Sequence, residues 1–205
     1  MLDQKFLYLS ITTFSITLLC LIILCQVAQK IGLIDLPSKR KTHIGRIPTV
    51  GGLSIFLGTF ASYLIYFNHN GISVQLLMFS SLILILGLID DYKPVCVNKK
   101  IIVQLVVSCL TVYFTGLQLE TIGYVFGFSY EIELFYLSFP FTIVFVIFVT
   151  NAFNLIDGAD GVASVLSFLS LLGMTMIGGL FLENVVICLL FALIPFIVFN
   201  LSNSN

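Results

Sequence analysis

Asp90 and Asp91 stand side by side where the apolar run 82–89 ends, and two adjacent carboxylates in that place call for compensation. Ionised groups are disfavoured in hydrocarbon, and the C-terminal end of a helix opposes negative charge. A divalent cation is the simplest remedy, because magnesium takes one or two carboxylates and completes its octahedron with water and substrate phosphates. The plainer alternative is a polar helix terminus that ends a span in the interface. A second group follows in Asn151-Ala-Phe-Asn-Leu-Ile-Asp157-Gly-Ala-Asp160-Gly161. Its Asn154, Asp157 and Asp160 are spaced by three and would share one face of a helix. Gly158 and Gly161 permit a tight turn and close approach of a ligand to the backbone. Ordinary capping of the next helix explains one of these aspartates well and two less well. The third group is Asp35 with the basic cluster Lys39, Arg40, Lys41 and the nearby His43, followed by Gly51-Gly52. Arg40 suits bidentate contact with a phosphate, whereas a purely topogenic signal needs no such chemistry.

The elements that must position these groups are membrane helices. At 59% hydrophobic and 9% charged, with a mean hydropathy of +1.13, the chain is no ordinary soluble domain. A span needs about 20 apolar residues, and seven such runs are predicted at about 6–28, 50–67, 72–89, 101–118, 134–153, 162–180 and 185–201. The fold class is therefore all-α and polytopic, with 1–205 as a single transmembrane domain. The first run is too long for a signal-peptide core and lacks a small-residue cleavage site, so it reads as an uncleaved helix. Pro195 predicts a kink in the last run.

Charge then gives sidedness. Loops 29–49 and 90–100 hold Lys30, Lys39, Arg40, Lys41, Arg46, Lys93, Lys99 and Lys100, which is all of the nine Lys and Arg residues except Lys5. The positive-inside rule puts these loops, and 154–161 with them, in the cytoplasm. All three groups of chemically suggestive residues fall on that side. On the other, 119–133 is acidic, and its alternation over 129–134 predicts a short hairpin. Tyr63, Tyr66, Phe67, Tyr113 and Phe114 sit near outer span ends, as interface aromatics do. No basic face remains for nucleic acid. Four of the five cysteines lie inside apolar runs and none forms a C-x-x-C pair, so neither a disulfide framework nor a zinc site is indicated.

In this order, the three groups resemble the polyprenyl-phosphate N-acetylhexosamine-1-phosphate transferase family. The matching stretches are Lys30-Ile-Gly-Leu-Ile-Asp35-x-Pro37, Arg40-Lys-x-His43, Pro48-x-x-Gly51-Gly52, Ile89-Asp-Asp91, Gly123-Tyr-x-Phe-Gly127, the Asn151–Gly161 segment and Pro195-x-x-x-x-Asn200-Leu201. The Gly123 to Gly127 match favours the branch that starts O-antigen and enterobacterial common antigen synthesis over the phospho-MurNAc-pentapeptide branch. The resemblance implies that undecaprenyl phosphate attacks UDP-GlcNAc at its β-phosphorus and releases UMP at the bacterial inner membrane. It further implies Mg2+ or Mn2+ as cofactor. Asp90 and Asp91 would be metal ligands, catalytic together with Asp157 and Asp160, while Asn154, Asp35, Arg40 and His43 would bind substrate. The lipid bilayer is a further partner, and a homodimer is left open.

Three departures from the family pattern stand out. The fifth position of the acidic-pair motif, often an acid in this branch, is Pro94, and Asn98 precedes Lys99 and Lys100. Family members also continue past the Asn200-Leu201 position into a G-D-x-G-S loop that supplies a further metal ligand, and then into more helices, ten or eleven in all. The chain thus reads as a truncated member, for which little catalysis is expected if 205 residues are the whole product. A non-catalytic protein that binds polyprenyl phosphate is the competing reading. A transporter or channel fits less well, because the charges gather in loops and not at mid-membrane.

Overall fold

The computed structural model describes residues 2–35, 47–67, 71–124, 130–156, 161–177 and 183–202. Each predicted apolar run lies on a helix: α1 (Leu2–Ile31), α2 (Gly51–Tyr66), α3 (Ile72–Tyr92), α4 (Val97–Thr115), α5 (Ser138–Ile156), α6 (Val162–Ile177) and α7 (Glu183–Ser202). Among the described residues, five helical segments are long and apolar enough to cross a membrane: Gln4–Ala28, Ile72–Tyr92, Val97–Thr115, Phe135–Ile156 and Asn184–Ser202. The apolar helices α2 and α6 have 16 residues each. They rise about 24 Å, short of the hydrocarbon thickness of about 30 Å. The chain is an all-α, multi-pass membrane protein.

Backbone polarity explains why helices fill it, since in lipid every N–H and C=O must be satisfied internally. Hydroxyls follow the same logic by bonding back one turn. Ser10 donates to the Phe6 carbonyl at 2.7 Å and Thr13 to that of Leu9 at 2.8 Å. Helix ends follow local sequence. Pro94 disfavours a helical conformation in the residue before it, and Lys93 is extended at φ −147° and ψ 116°, closing α3. Gly116 closes α4 in the left-handed region at φ 68°. Pro140 sits in the first turn of α5, where its missing N–H costs no internal bond.

Helices α1, α2 and α7 pack on one another, with α6 against α7. Helix α4 packs against both α3 and α5, and contacts from α2 to α3 and from α5 to α6 join the two groups. Close approach within the first group depends on glycine. A Cβ on Gly51 would lie 2.1 Å from the Phe196 ring of α7, and one on Gly58 would lie 1.8 Å from Thr17 Oγ1 of α1. Gly51 thus lets helices meet closely, as small residues do in membranes. Between α1 and α2, strands β1 (Ile34–Asp35) and β2 (Ile47–Pro48) pair antiparallel, Ile34 with Pro48 and Asp35 with Ile47.

Sequence patterning places Asp90 and Asp91 in a loop beginning at 90, but both lie inside α3. Lys99 and Lys100 belong to α4 and Asn154 to the last turn of α5. The apolar run ends where charges begin, yet the bond ladder of α3 continues past it until Lys93, ahead of Pro94, turns extended. Tyr63 is buried and stacks on Phe67 at 5.1 Å, so it serves the core with Leu77 and Val185 and does not line an interface. Tyr113 and Phe114 are exposed as expected. Among the described residues, the predicted hairpin takes the form of an antiparallel bridge between Thr121 and Glu133. The Ile122 N–H donates to the Ile132 carbonyl at 2.9 Å, the Ile132 N–H to that of Gly123 at 3.2 Å and the Leu134 N–H to that of Glu120 at 2.8 Å. Helix α7 runs through Pro195 as one element. Cys188 is buried and Cys96 exposed, and all five thiols are free.

Candidate active site at one end of the bundle

Contacts collect the C-terminal ends of α1, α3 and α5 with the N-terminal part of α4. Leu33, just past α1, joins Ile85, Leu88, Ile89 and Tyr92 of α3 in lining an open apolar groove of about 490 Å³. Strand β1, which carries Asp35, packs against α3. The backbone of Asp35 therefore lies near the helix end bearing Asp90 and Asp91, while its side chain falls outside the described residues. Arg40, His43, Asp157 and Asp160 also fall outside them.

Asp90 is partly buried and well held. Its Oδ1 accepts the Val95 N–H at 2.8 Å, and its Oδ2 accepts from Lys100 Nζ in a short ion pair. The first bond fixes the turn between α3 and α4, and the second ties the acidic helix end to the first turns of α4. Lys100 thus supplies part of the compensation that the sequence alone suggested for a cation. Asp91, next in the chain, is exposed. Among the described residues, no group of three or more His, Cys, Asp or Glu side chains comes together as a metal site.

A second tie reaches α5. Gln104, one turn beyond Lys100 and 4% exposed, accepts a hydrogen bond at its Oε1 from Asn151 Nδ2 at 2.9 Å. The same Asn151 nitrogen donates to the Ile147 carbonyl at 2.8 Å. Asn154 follows three residues later, exposed in the last turn of α5. Beyond it, Gly161 opens α6 at φ 74°, and a Cβ there would meet Leu201 Cδ2 at 2.9 Å. Lys100 and Gln104 were not singled out by sequence. Their four-residue spacing near the start of a membrane helix is the available signal, since two polar side chains on one face of a span need partners.

An apolar bundle that gathers two carboxylates, a lysine and an amide pair at one end defines a multi-pass membrane protein with a polar site at a helix-end surface. A model of glycosyl transferase family 4 matches residues 73–205, more than half of the chain, and the chain belongs to that family. It is 31% identical over 159 residues to a probable undecaprenyl-phosphate N-acetylglucosaminyl 1-phosphate transferase of Bacillus subtilis, covering 74% of this chain and 43% of the relative. The undecaprenyl-phosphate alpha-N-acetylglucosaminyl 1-phosphate transferase of Escherichia coli K12 is 33% identical over 146 residues, 70% of this chain and 39% of its own length. That of Pasteurella multocida is 32% identical over 117 residues, 57% of this chain and 33% of its own. The chain spans less than half the length of these curated relatives.

Proposed function

We infer that the protein transfers N-acetylglucosamine-1-phosphate from UDP-GlcNAc to undecaprenyl phosphate and releases UMP. The observation that carries this reading is the Asp90–Asp91 pair at the end of an apolar helix, with Asp90 anchored by Val95 and Lys100, in a chain whose relatives are named as undecaprenyl-phosphate N-acetylglucosaminyl 1-phosphate transferases. An oxygen of undecaprenyl phosphate attacks the β-phosphorus. The bond from that phosphorus to the bridging oxygen breaks, and UMP leaves with the electron pair. Such a nucleophile is already anionic, so the protein's task is to position two anions and neutralise their charge.

The donor set fits a hard cation, because magnesium and manganese favour carboxylate oxygen and magnesium uses one or two such ligands. Asp90 and Asp91 would together hold it at the end of α3, with Asp90 oriented by Val95 and Lys100. When bound, the metal supplies Lewis-acid neutralisation of phosphate charge. Asn154, Asp157 and Asp160 support the nucleotide-sugar end, while Asp35 of β1 and, from the sequence between β1 and β2, Arg40 and His43 bind substrate, Arg40 through phosphate. The basic loops favour an inner-membrane protein with this end in the cytoplasm, where it opens a lipid-linked glycan pathway.

Membranes carrying the full gene product are expected to release UMP from UDP-GlcNAc only when both undecaprenyl phosphate and a divalent cation are added. Release independent of the lipid phosphate, or none at all, would contradict the reading. Turnover of UDP-MurNAc-pentapeptide instead would move the protein to the sister branch. In the same assay, Lys100→Met is expected to cost on the order of 10-fold in turnover, the usual scale for a residue that orients a ligand. Lys100→Arg keeps the charge and should retain most of it.

A further inference from the structure

We propose that Gln104 is a positioning residue that fixes the distance between the acidic end of α3 and the C-terminal end of α5. Helix α4 packs against both neighbours and makes a polar side-chain contact to each. Lys100 binds Asp90 of α3, and one turn on, Gln104 binds Asn151 of α5. Asn154 lies three residues beyond Asn151 on the same helix. Two polar contacts on adjacent turns of one rigid helix thus register one group of site residues against the other.

The chemistry of the pair supports a specific role. Gln104 is buried, and a side-chain amide among apolar helices has a strong preference for its one good partner over lipid or a rotated geometry. Asn151 is anchored on both sides, since its amide also reaches the Ile147 carbonyl of its own helix. The contact bridges 47 residues of sequence and so constrains two elements that chain connectivity leaves free to slide. Shifts of about 1–2 Å between packed helices are ordinary when such a tie is released, and displacements of that size in reacting groups are costly.

This inference rests on the transferase reading, so its test has an arm that does not need turnover. In a background with the five native cysteines replaced, nitroxide labels at the exposed positions Tyr92 and Leu155 report the spacing of the two helix ends by pulsed electron resonance. Gln104→Leu, of similar size and apolar, is expected to shift or broaden that distance by about 2 Å. The swap of Gln104→Asn with Asn151→Gln should restore it. In unlabelled protein, Gln104→Leu is expected to lower kcat on the order of 10-fold or more, with KM for UDP-GlcNAc nearly unchanged. An unaltered distance distribution in Gln104→Leu would overturn the proposal, as would an altered distance with full kcat. If wild-type protein shows no turnover, the transferase reading fails while the distance arm still decides whether Gln104 sets the spacing.

Discussion

Asp91→Asn is expected to reduce UMP release on the order of 100-fold or more, comparable to removing a group aimed at developing charge, while leaving the protein folded. Asparagine matches aspartate in shape but carries no negative charge, so it is a poor ligand for a hard cation. Asp91 is exposed at the end of α3, and exposed substitutions outside special backbone features usually have small effects on stability. The carboxylate of Asp90 is less exposed and accepts from Val95 and Lys100, so Asp90→Asn weakens the α3–α4 turn and leaves Lys100 without this counter-charge. Turnover should fall for both variants, and melting temperature should fall further for Asp90→Asn than for the more exposed Asp91→Asn. Paired activity and melting measurements on detergent-purified protein would separate the two. Equal melting losses in both variants would contradict this division of roles.

Gly58→Leu is expected to have the largest effect on folding. The Cβ that any other residue brings would lie 1.8 Å from Thr17 Oγ1, 2.9 Å from Thr17 Cβ and 3.2 Å from Thr17 Cα. The last distance is to backbone, so rotation of the threonine cannot relieve the clash and α1 must move away from α2. The neighbouring Thr13, Thr17, Thr59 and Ser62 are fully buried, as expected where small side chains let two membrane helices meet. Overpacking of this kind costs about 1–3 kcal/mol for an added methyl or two, which is the expectation for Gly58→Ala. Gly58→Leu should cost about 3 kcal/mol or more and deplete the monodisperse fraction after extraction. Adding Thr17→Ala to Gly58→Ala removes the nearest atom and should recover part of the loss. Unchanged melting of Gly58→Ala would contradict the close packing of α1 on α2.

Sequence read this protein unevenly, for physical reasons. Hydropathy located the seven α-helices of the described residues, because apolarity is what a bilayer demands, although α2 and α6 fall short of a full span. It misplaced their ends around Asp90, Lys99 and Asn154, because a helix stops where backbone bonding is interrupted and not where apolar residues run out. Pro94 and Gly116 mark those interruptions and are visible in the sequence. Adjacent carboxylates drew attention to Asp90 and Asp91 by their cost in an apolar chain. Their relief by Lys100, ten residues on, was less legible, since it depends on how sharply α3 turns into α4. Still less legible was the bond from Gln104 to Asn151, because local spacing carries no information on which helices become neighbours. Tyr63 shows the same limit: its position near a span end suits a membrane interface, but packing against Phe67 and Leu77 buries it.

Following the β-phosphorus tells whether a sugar phosphate, and not a bare sugar, is transferred. UDP-GlcNAc radiolabelled at that atom would be incubated with undecaprenyl phosphate, magnesium and membranes carrying the full gene product, and the lipid extract counted. The expected result is label in the lipid fraction in equal amount to the UMP released. Label remaining wholly in the nucleotide while sugar enters the lipid would contradict it, because the bond broken would then be the glycosidic one.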